Sequence, residues 1–118
     1  MRKTITTNGR AAFYGSIYPE IKQICIGMGW ACGIHGSVAT DMDLMLQPYV
    51  DDAVPIVKLL RGVRLFLGLG DIPIIFAGRS HHNRCMFGLS ITPDMYLDIS
   101  VVDDGTIGME EIKGQIIQ

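Results

Sequence analysis

The sequence predicts a single α+β domain, in which a small mixed or antiparallel sheet carries helices on one face in the order α-β-β-α-β-β-β. Three observations lead to this fold class. The chain has 118 residues, 48% of them hydrophobic, which suffices for one core. Apolar residues recur at helical spacing in two stretches of the first half. The last third instead holds short apolar runs separated by turn residues, which is typical of a β-meander.

The first helix is predicted over residues 17–28, after an irregular or short-strand entry over residues 1–15. Ser16 is a typical N-cap, and Pro19 would then lie in the first turn, where proline is tolerated. Gly29 is a typical stop signal. The apolar positions that repeat at three- and four-residue spacing are Ile17, Ile21, Ile24, Cys25 and Met28.

Two strands and a second helix follow. Residues 30–36 are short and apolar and predict a buried strand, and residues 41–47 predict a second strand that Pro48 ends. The second helix is predicted over residues 52–66, with Asp51 or Asp52 as its cap.

The last third predicts three strands over residues 72–77, 84–91 and 96–102. The segments between them are rich in turn residues, so consecutive strands are expected to pair. Residues 109–117 predict a short C-terminal helix.

Composition limits the partners we expect. The formal net charge is −2, whereas proteins that bind duplex nucleic acid usually carry a basic excess, so no duplex nucleic-acid partner is expected. The three cysteines form no C-x-x-C pair and indicate free thiols in a reducing compartment. No apolar run reaches the ~18–20 residues of a membrane span, and the first residues lack the apolar run of a signal peptide. We therefore expect a cytoplasmic protein without a membrane partner.

The stretch from His35 to Asp43 carries the chemistry. Side chains alternate along a strand, so Asp41 and Asp43 point the same way. Two adjacent carboxylates repel each other, and Mg²⁺ or Mn²⁺, which prefer oxygen ligands, would relieve that repulsion. Gly36 allows close approach of a phosphate to the backbone, and Ser37 offers hydrogen-bond donors to it. The simpler alternative is a solvent-facing pair at the start of a strand.

Asp98 is a third acid, in the middle of an apolar strand. A carboxylate in that position needs a partner if it is buried. If its strand lies beside residues 41–47, Asp98 completes a three-carboxylate cluster; on an edge strand it would simply face water.

Three basic or histidine residues are further candidates. His35 is either a contact to phosphate, a general base or a structural histidine. Arg79 and Arg84 flank the loop between two predicted strands, and a guanidinium binds phosphate oxygens in a bidentate manner. The same loop also fits a plain polar turn, and its adjacent histidines lack the second ligand pair of a zinc site.

This order of features resembles the DNA polymerase β-like nucleotidyltransferases. Members of that superfamily carry a Gly-Ser or Gly-Gly turn after a helix and a strand, then Asp-x-Asp or Asp-x-Glu, and a third Asp on a later strand. The resemblance spans residues 17–102 and is carried by Gly36, Ser37, Asp41, Asp43 and Asp98. The chain also looks like small phage or prophage proteins of unassigned function that share an Ile-His-Gly-Ser-Val-Ala core, Asp-x-Asp-Leu and a Tyr-x-Asp-x-Ser strand.

Two features depart from the superfamily pattern. Only Val38, Ala39 and Thr40 separate the Gly-Ser turn from the Asp pair, where members usually have a longer turn. Many members also add a helical domain that holds the nucleotide base, and this chain has no room for one.

The resemblance implies a nucleotidyltransferase-like core and a reaction that moves a nucleotide from an NTP to an unknown acceptor, with a host or partner protein as one candidate acceptor. It implies that Asp41, Asp43 and Asp98 hold Mg²⁺ or Mn²⁺ and that Gly36 and Ser37 hold the β,γ-phosphates. The alternative is a non-catalytic phage-type protein that binds a nucleotide or a host protein on the same surface, as an inhibitor or a sequestering module.

Overall fold

The computed structural model describes residues 7–36, 38, 41–79, 83–102 and 116–118. Within these residues the chain forms two helices and one mixed six-stranded sheet, which confirms the α+β class. In chain order the elements are α1 (Thr7–Gly27), β1 (Trp30–His35), β2 (Asp41–Pro48), α2 (Ile56–Phe66), β3 (Ile74–Arg79), β4 (Arg84–Thr92), β5 (Met95–Val102) and β6 (Ile116–Ile117).

The strands lie in the order β1-β2-β5-β4-β3-β6. The predicted meander of β3, β4 and β5 is antiparallel and brings β5 back beside β2, where the two strands pair in parallel. β1 pairs with β2 in antiparallel fashion at one edge, and β6 pairs with β3 in the same way at the other. The topology therefore places the strand that contains Asp98 next to the strand that contains Asp41 and Asp43.

The two faces of the sheet differ in burial. One face is apolar, and its side chains join those of α1 and α2 in one hydrophobic cluster; its most central members are Met42, Leu44, Leu46, Leu97, Ile99 and Val101. The alternate residues of β2 and β5 lie on the opposite face, and most of them are half-buried. We call that second face the open face; on the central strands it carries Asp41, Asp43, Met45, Tyr96, Asp98 and Ser100. The sequence pattern predicted helices on one face only, in agreement with this division.

Helix α1 begins ten residues earlier than the sequence predicts, so the irregular entry over residues 1–15 is wrong for residues 7–15. Ser16 is not an N-cap but lies inside the helix, where its hydroxyl donates to the carbonyl of Phe13 at 2.7 Å. Pro19 is also internal. Because proline lacks an N–H, the carbonyl of Gly15, four residues earlier, receives no helical hydrogen bond from it.

Helix α2 begins at Ile56, with Pro55 at its N-cap and no side-chain capping bond. The predicted cap by Asp51 or Asp52 is wrong, because both residues lie in the turn that precedes Pro55. The predicted C-terminal helix is wrong at its end, since Ile116–Ile117 form β6. Residues 109–115 of that prediction lie outside the described residues.

Candidate metal and nucleotide site

Three carboxylates lie together on the open face, on the one parallel strand pair among the described strands. Asp43 is directly paired with Asp98, and Asp41 is paired with Tyr96. Paired residues on neighbouring strands are about 4.8 Å apart, and alternate residues of a strand about 6.6 Å apart. All three carboxylates are half-buried. The structure thus brings together the three acids that the sequence singled out.

The three carboxyl groups repel one another electrostatically. The pKa of Asp98 is raised, first by burial and then by the negative charges of Asp41 and Asp43, and both neighbours are also hydrogen-bond partners of its side chain. A proton shared within the cluster and a bound cation are the two ways to relieve this repulsion. The raised pKa of Asp98 favours its protonated form in the metal-free protein.

The donor atoms of the cluster suit a hard cation. An all-oxygen set fits Mg²⁺ or Mn²⁺ better than Zn²⁺. Among the residues described by the structure, no three carboxylate, imidazole or thiol groups converge closely enough to form a ready metal site. Metal binding would require the carboxylates to turn toward a common point, and the shared register position of Asp43 and Asp98 allows this.

The turn before β2 lies against the cluster. Gly36 has a φ of +85°, and a Cβ atom at this position would lie 2.7 Å from Oδ2 of Asp43. Only glycine combines this backbone conformation with this close approach. His35 pairs with Asp43 across the β1–β2 ladder and is exposed. Ser37 lies outside the described residues, so the phosphate-binding role of the Gly-Ser turn stays a prediction.

The two arginines singled out by the sequence lie away from the carboxylates. Arg84 pairs with Val102, whereas Gly88, four residues further along β4, pairs with Asp98. Four residues of a strand span about 13 Å. Arg79 pairs with Cys85, at the same end of the sheet as Arg84. The structure therefore does not bring either guanidinium to the carboxylate cluster.

Sequence reasoning missed the contribution of two tyrosines. The ring of Tyr96 lies across Gly88 on the open face, where any Cβ atom on residue 88 would overlap it. Burial raises the pKa of Tyr96, and the charges of Asp98 and Asp41 add to this rise. Strand alternation does place Tyr96 on the face of Asp98, so the signal was present in the sequence.

Tyr14 of α1 approaches the cluster from the other side of the sheet. Its hydroxyl accepts a hydrogen bond from the N–H of Tyr96 at 3.0 Å and donates to the carbonyl of the same residue at 3.5 Å. Burial raises the pKa of Tyr14, and the charge of Asp41 adds to this rise. No local sequence signal points to Tyr14, because it falls in the segment predicted to be irregular.

Comparison with known proteins gives no family for this chain. No known protein family matches it, and no curated protein matches it. Among the described residues, neither helix is long and apolar enough to span a bilayer. Function is therefore inferred from the geometry of the carboxylate cluster and the residues around it.

Proposed function

We propose that this protein is a Mg²⁺- or Mn²⁺-dependent nucleotidyltransferase that moves a nucleotide from an NTP to a hydroxyl of an acceptor. The observation that carries the proposal is the direct pairing of Asp43 with Asp98 on parallel strands, with Asp41 on the same face. Three mutually repelling carboxylates on one patch destabilise a fold, and a cation-dependent role explains why they lie together.

Each carboxylate has a part in this proposal. Asp41, Asp43 and Asp98 would hold the divalent ions, which when bound neutralise charge on the attacking and leaving oxygens. Asp98 is the candidate base, because its carboxylate lies opposite Asp43 on the neighbouring strand of the open face. It would take the proton of the acceptor hydroxyl as that oxygen bonds to the α-phosphorus and pyrophosphate leaves.

Thermal unfolding with Mg²⁺ or Mn²⁺ and each NTP tests the proposal. A ligand that binds only the folded state stabilises it by RT ln(1 + [L]/Kd), about 2.7 kcal/mol at a hundredfold excess over Kd. We expect a nucleotide-dependent rise in Tm that needs the metal and that Asp41→Asn and Asp43→Asn both remove. Asp71→Asn is the matched control, because Asp71 is an exposed carboxylate in the loop after α2.

The same experiment can also refute the proposal. If no NTP raises Tm in the presence of either metal, the nucleotidyltransferase proposal is wrong. If binding occurs, release of pyrophosphate from the NTP in the presence of hydroxyl-bearing proteins and small molecules distinguishes transfer from binding alone.

A second candidate, a binding module without catalysis, is favoured by one observation. Ile75 and Ile116 pair across β3 and β6 and are 36% and 55% exposed. Ile75 also pairs with Gly88, so these two side chains extend the row of Asp43 and Asp98 on the open face. Contiguous exposed apolar side chains bordered by polar residues are typical of protein interaction surfaces. Binding that persists without metal and survives Asp43→Asn would favour this candidate.

A further inference from the structure

A shallow hollow lies on the open face, further along β2 than the carboxylate cluster. Its volume is about 310 Å³. Ligand pockets range from about 300 to 1,000 Å³, so the hollow has room for a flat ring system rather than for a whole nucleotide. The open-face residues around it come from three strands and are Ala31, Gly33, Met45, Gln47 and Val102.

The hollow and the carboxylate cluster lie one after the other along β2. Met45 follows Asp43 by two residues on the same face of β2, and Gln47 follows it by four. The hollow therefore extends from about 7 Å to about 13 Å beyond the carboxylate row. On the β4 side of the cluster, the ring of Tyr96 covers Gly88. A ligand anchored at the carboxylates would therefore reach this hollow along β2.

We propose that this hollow is a nucleobase subsite, which takes the base of the nucleotide whose phosphates lie at the carboxylate cluster. This inference rests on the function proposed above and adds the position of the base. The side chains of Met45 and Val102 would contact the faces of the ring. The amide of Gln47 offers both a donor and an acceptor to the edge of the base.

Gly33 supplies the space in the hollow. It pairs with Met45 across the β1–β2 ladder, and an added Cβ atom would find no protein atom within 4 Å. A valine here would project into the hollow without a clash inside the fold. Because valine is favoured in strands and glycine is not, Gly33→Val should fold at least as stably as the wild type.

Calorimetric titration separates the subsite from the phosphate site. The ligands are ATP, GTP, CTP, UTP and inorganic triphosphate, each with Mn²⁺. The wild type is expected to bind at least one NTP more tightly than it binds inorganic triphosphate. Gly33→Val should raise the Kd for that NTP about tenfold or more and leave the Kd for triphosphate unchanged. Gln47→Leu should alter the order of preference among the four bases.

The control is Ala77→Val, which adds methyl groups at an exposed position of β3, away from the hollow. It should leave every Kd unchanged. The subsite is overturned if Gly33→Val leaves NTP binding intact, or if inorganic triphosphate binds as tightly as every NTP; the proposed function survives either result. If neither triphosphate nor any NTP binds, the proposed function fails and the subsite fails with it.

Discussion

The hydroxyl of Tyr14 hydrogen-bonds both main-chain polar groups of Tyr96, the second residue of β5. Tyr14 is fully buried, and Tyr96 precedes Asp98 by two residues. A side chain of α1 therefore satisfies the backbone at the point where the parallel β2–β5 ladder begins. The position of Asp98 depends on this contact between a helix and a strand.

Tyr14→Phe should destabilise the protein by about 1–3 kcal/mol, because it removes the hydroxyl that bonds the part-buried N–H and carbonyl of Tyr96 while it preserves the ring. Equilibrium unfolding in urea measures this loss as a lower midpoint at an unchanged slope. The loss should also weaken Mn²⁺ binding, since the start of β5 is no longer held.

Tyr18→Phe is the matched control, one helical turn along α1. The hydroxyl of Tyr18 donates to the carbonyl of Cys32 at 3.3 Å, but Tyr18 is only half-buried and β1 is an edge strand. Water can replace its hydroxyl there, so the cost should be about 0.5–1 kcal/mol. An equal or larger cost for Tyr18→Phe would contradict the special role of Tyr14.

Asp98→Asn should stabilise the metal-free protein at neutral pH. The pKa of Asp98 is higher in the folded protein than in the unfolded chain. At a pH between these two pKa values, the carboxyl group therefore holds a proton more often in the folded protein than in the unfolded chain. The contribution of Asp98 to the free energy of unfolding is therefore largest below its pKa in the unfolded chain. It is lost as the pH rises through its pKa in the folded protein. Thermal scans at several pH values should show a higher Tm for Asp98→Asn than for the wild type at pH 7.

The same substitution should have little effect below the unfolded pKa of Asp98, where both carboxyl and amide are neutral. Asp94→Asn, in the exposed turn between β4 and β5, should leave Tm unchanged across the whole range. The opposite result would be a wild type that gains stability relative to Asp98→Asn as the pH rises through the acidic range. That result would refute the proposed repulsion within the cluster.

Strand alternation predicted from sequence which acids share a face, because side chains in a strand have a period of two. It could not predict that Asp43 stands opposite Asp98, since that register depends on how a distant meander returns to β2. The β-strand predictions are accurate to within two residues at each end except for β6. The strands were easy to locate because each is a short apolar run, and most of these runs have turn residues at both ends.

Local signals misplaced the start of α1. Ser16 and Pro19 form a typical helix start, so they predict a helix from residue 17, whereas α1 begins at Thr7. The helix continues through that segment because Tyr14 is buried against the sheet, and this packing is a tertiary contact that no local pattern encodes. For the same reason the partner of Tyr96 was not foreseen.

Gly88→Ala should destabilise the protein by about 1 kcal/mol, because the new methyl group would displace the ring of Tyr96 from the strand. Alanine is otherwise at least as good as glycine in a strand. The loss should therefore vanish in a Tyr96→Ala background, and urea unfolding of the two single variants and the double variant measures this coupling. Additive losses would show that Gly88 is needed for a reason other than the ring.

Gly36→Ala tests whether metal binding depends on the close approach of the turn at Gly36 to the carboxylate cluster. Gly68→Ala is its control. Both glycines have positive φ, +85° and +68°, so each alanine should cost about 1–2 kcal/mol in backbone strain. They differ in surroundings: a Cβ at Gly36 meets the carboxylate of Asp43, whereas a Cβ at Gly68 meets no atom within 4 Å. Since the carboxylate can move aside, the two variants should lose similar stability, but only Gly36→Ala should weaken Mn²⁺ binding in a calorimetric titration. Equal Mn²⁺ affinities in the two variants would mean that the position of Asp43 beside the turn does not matter for the metal.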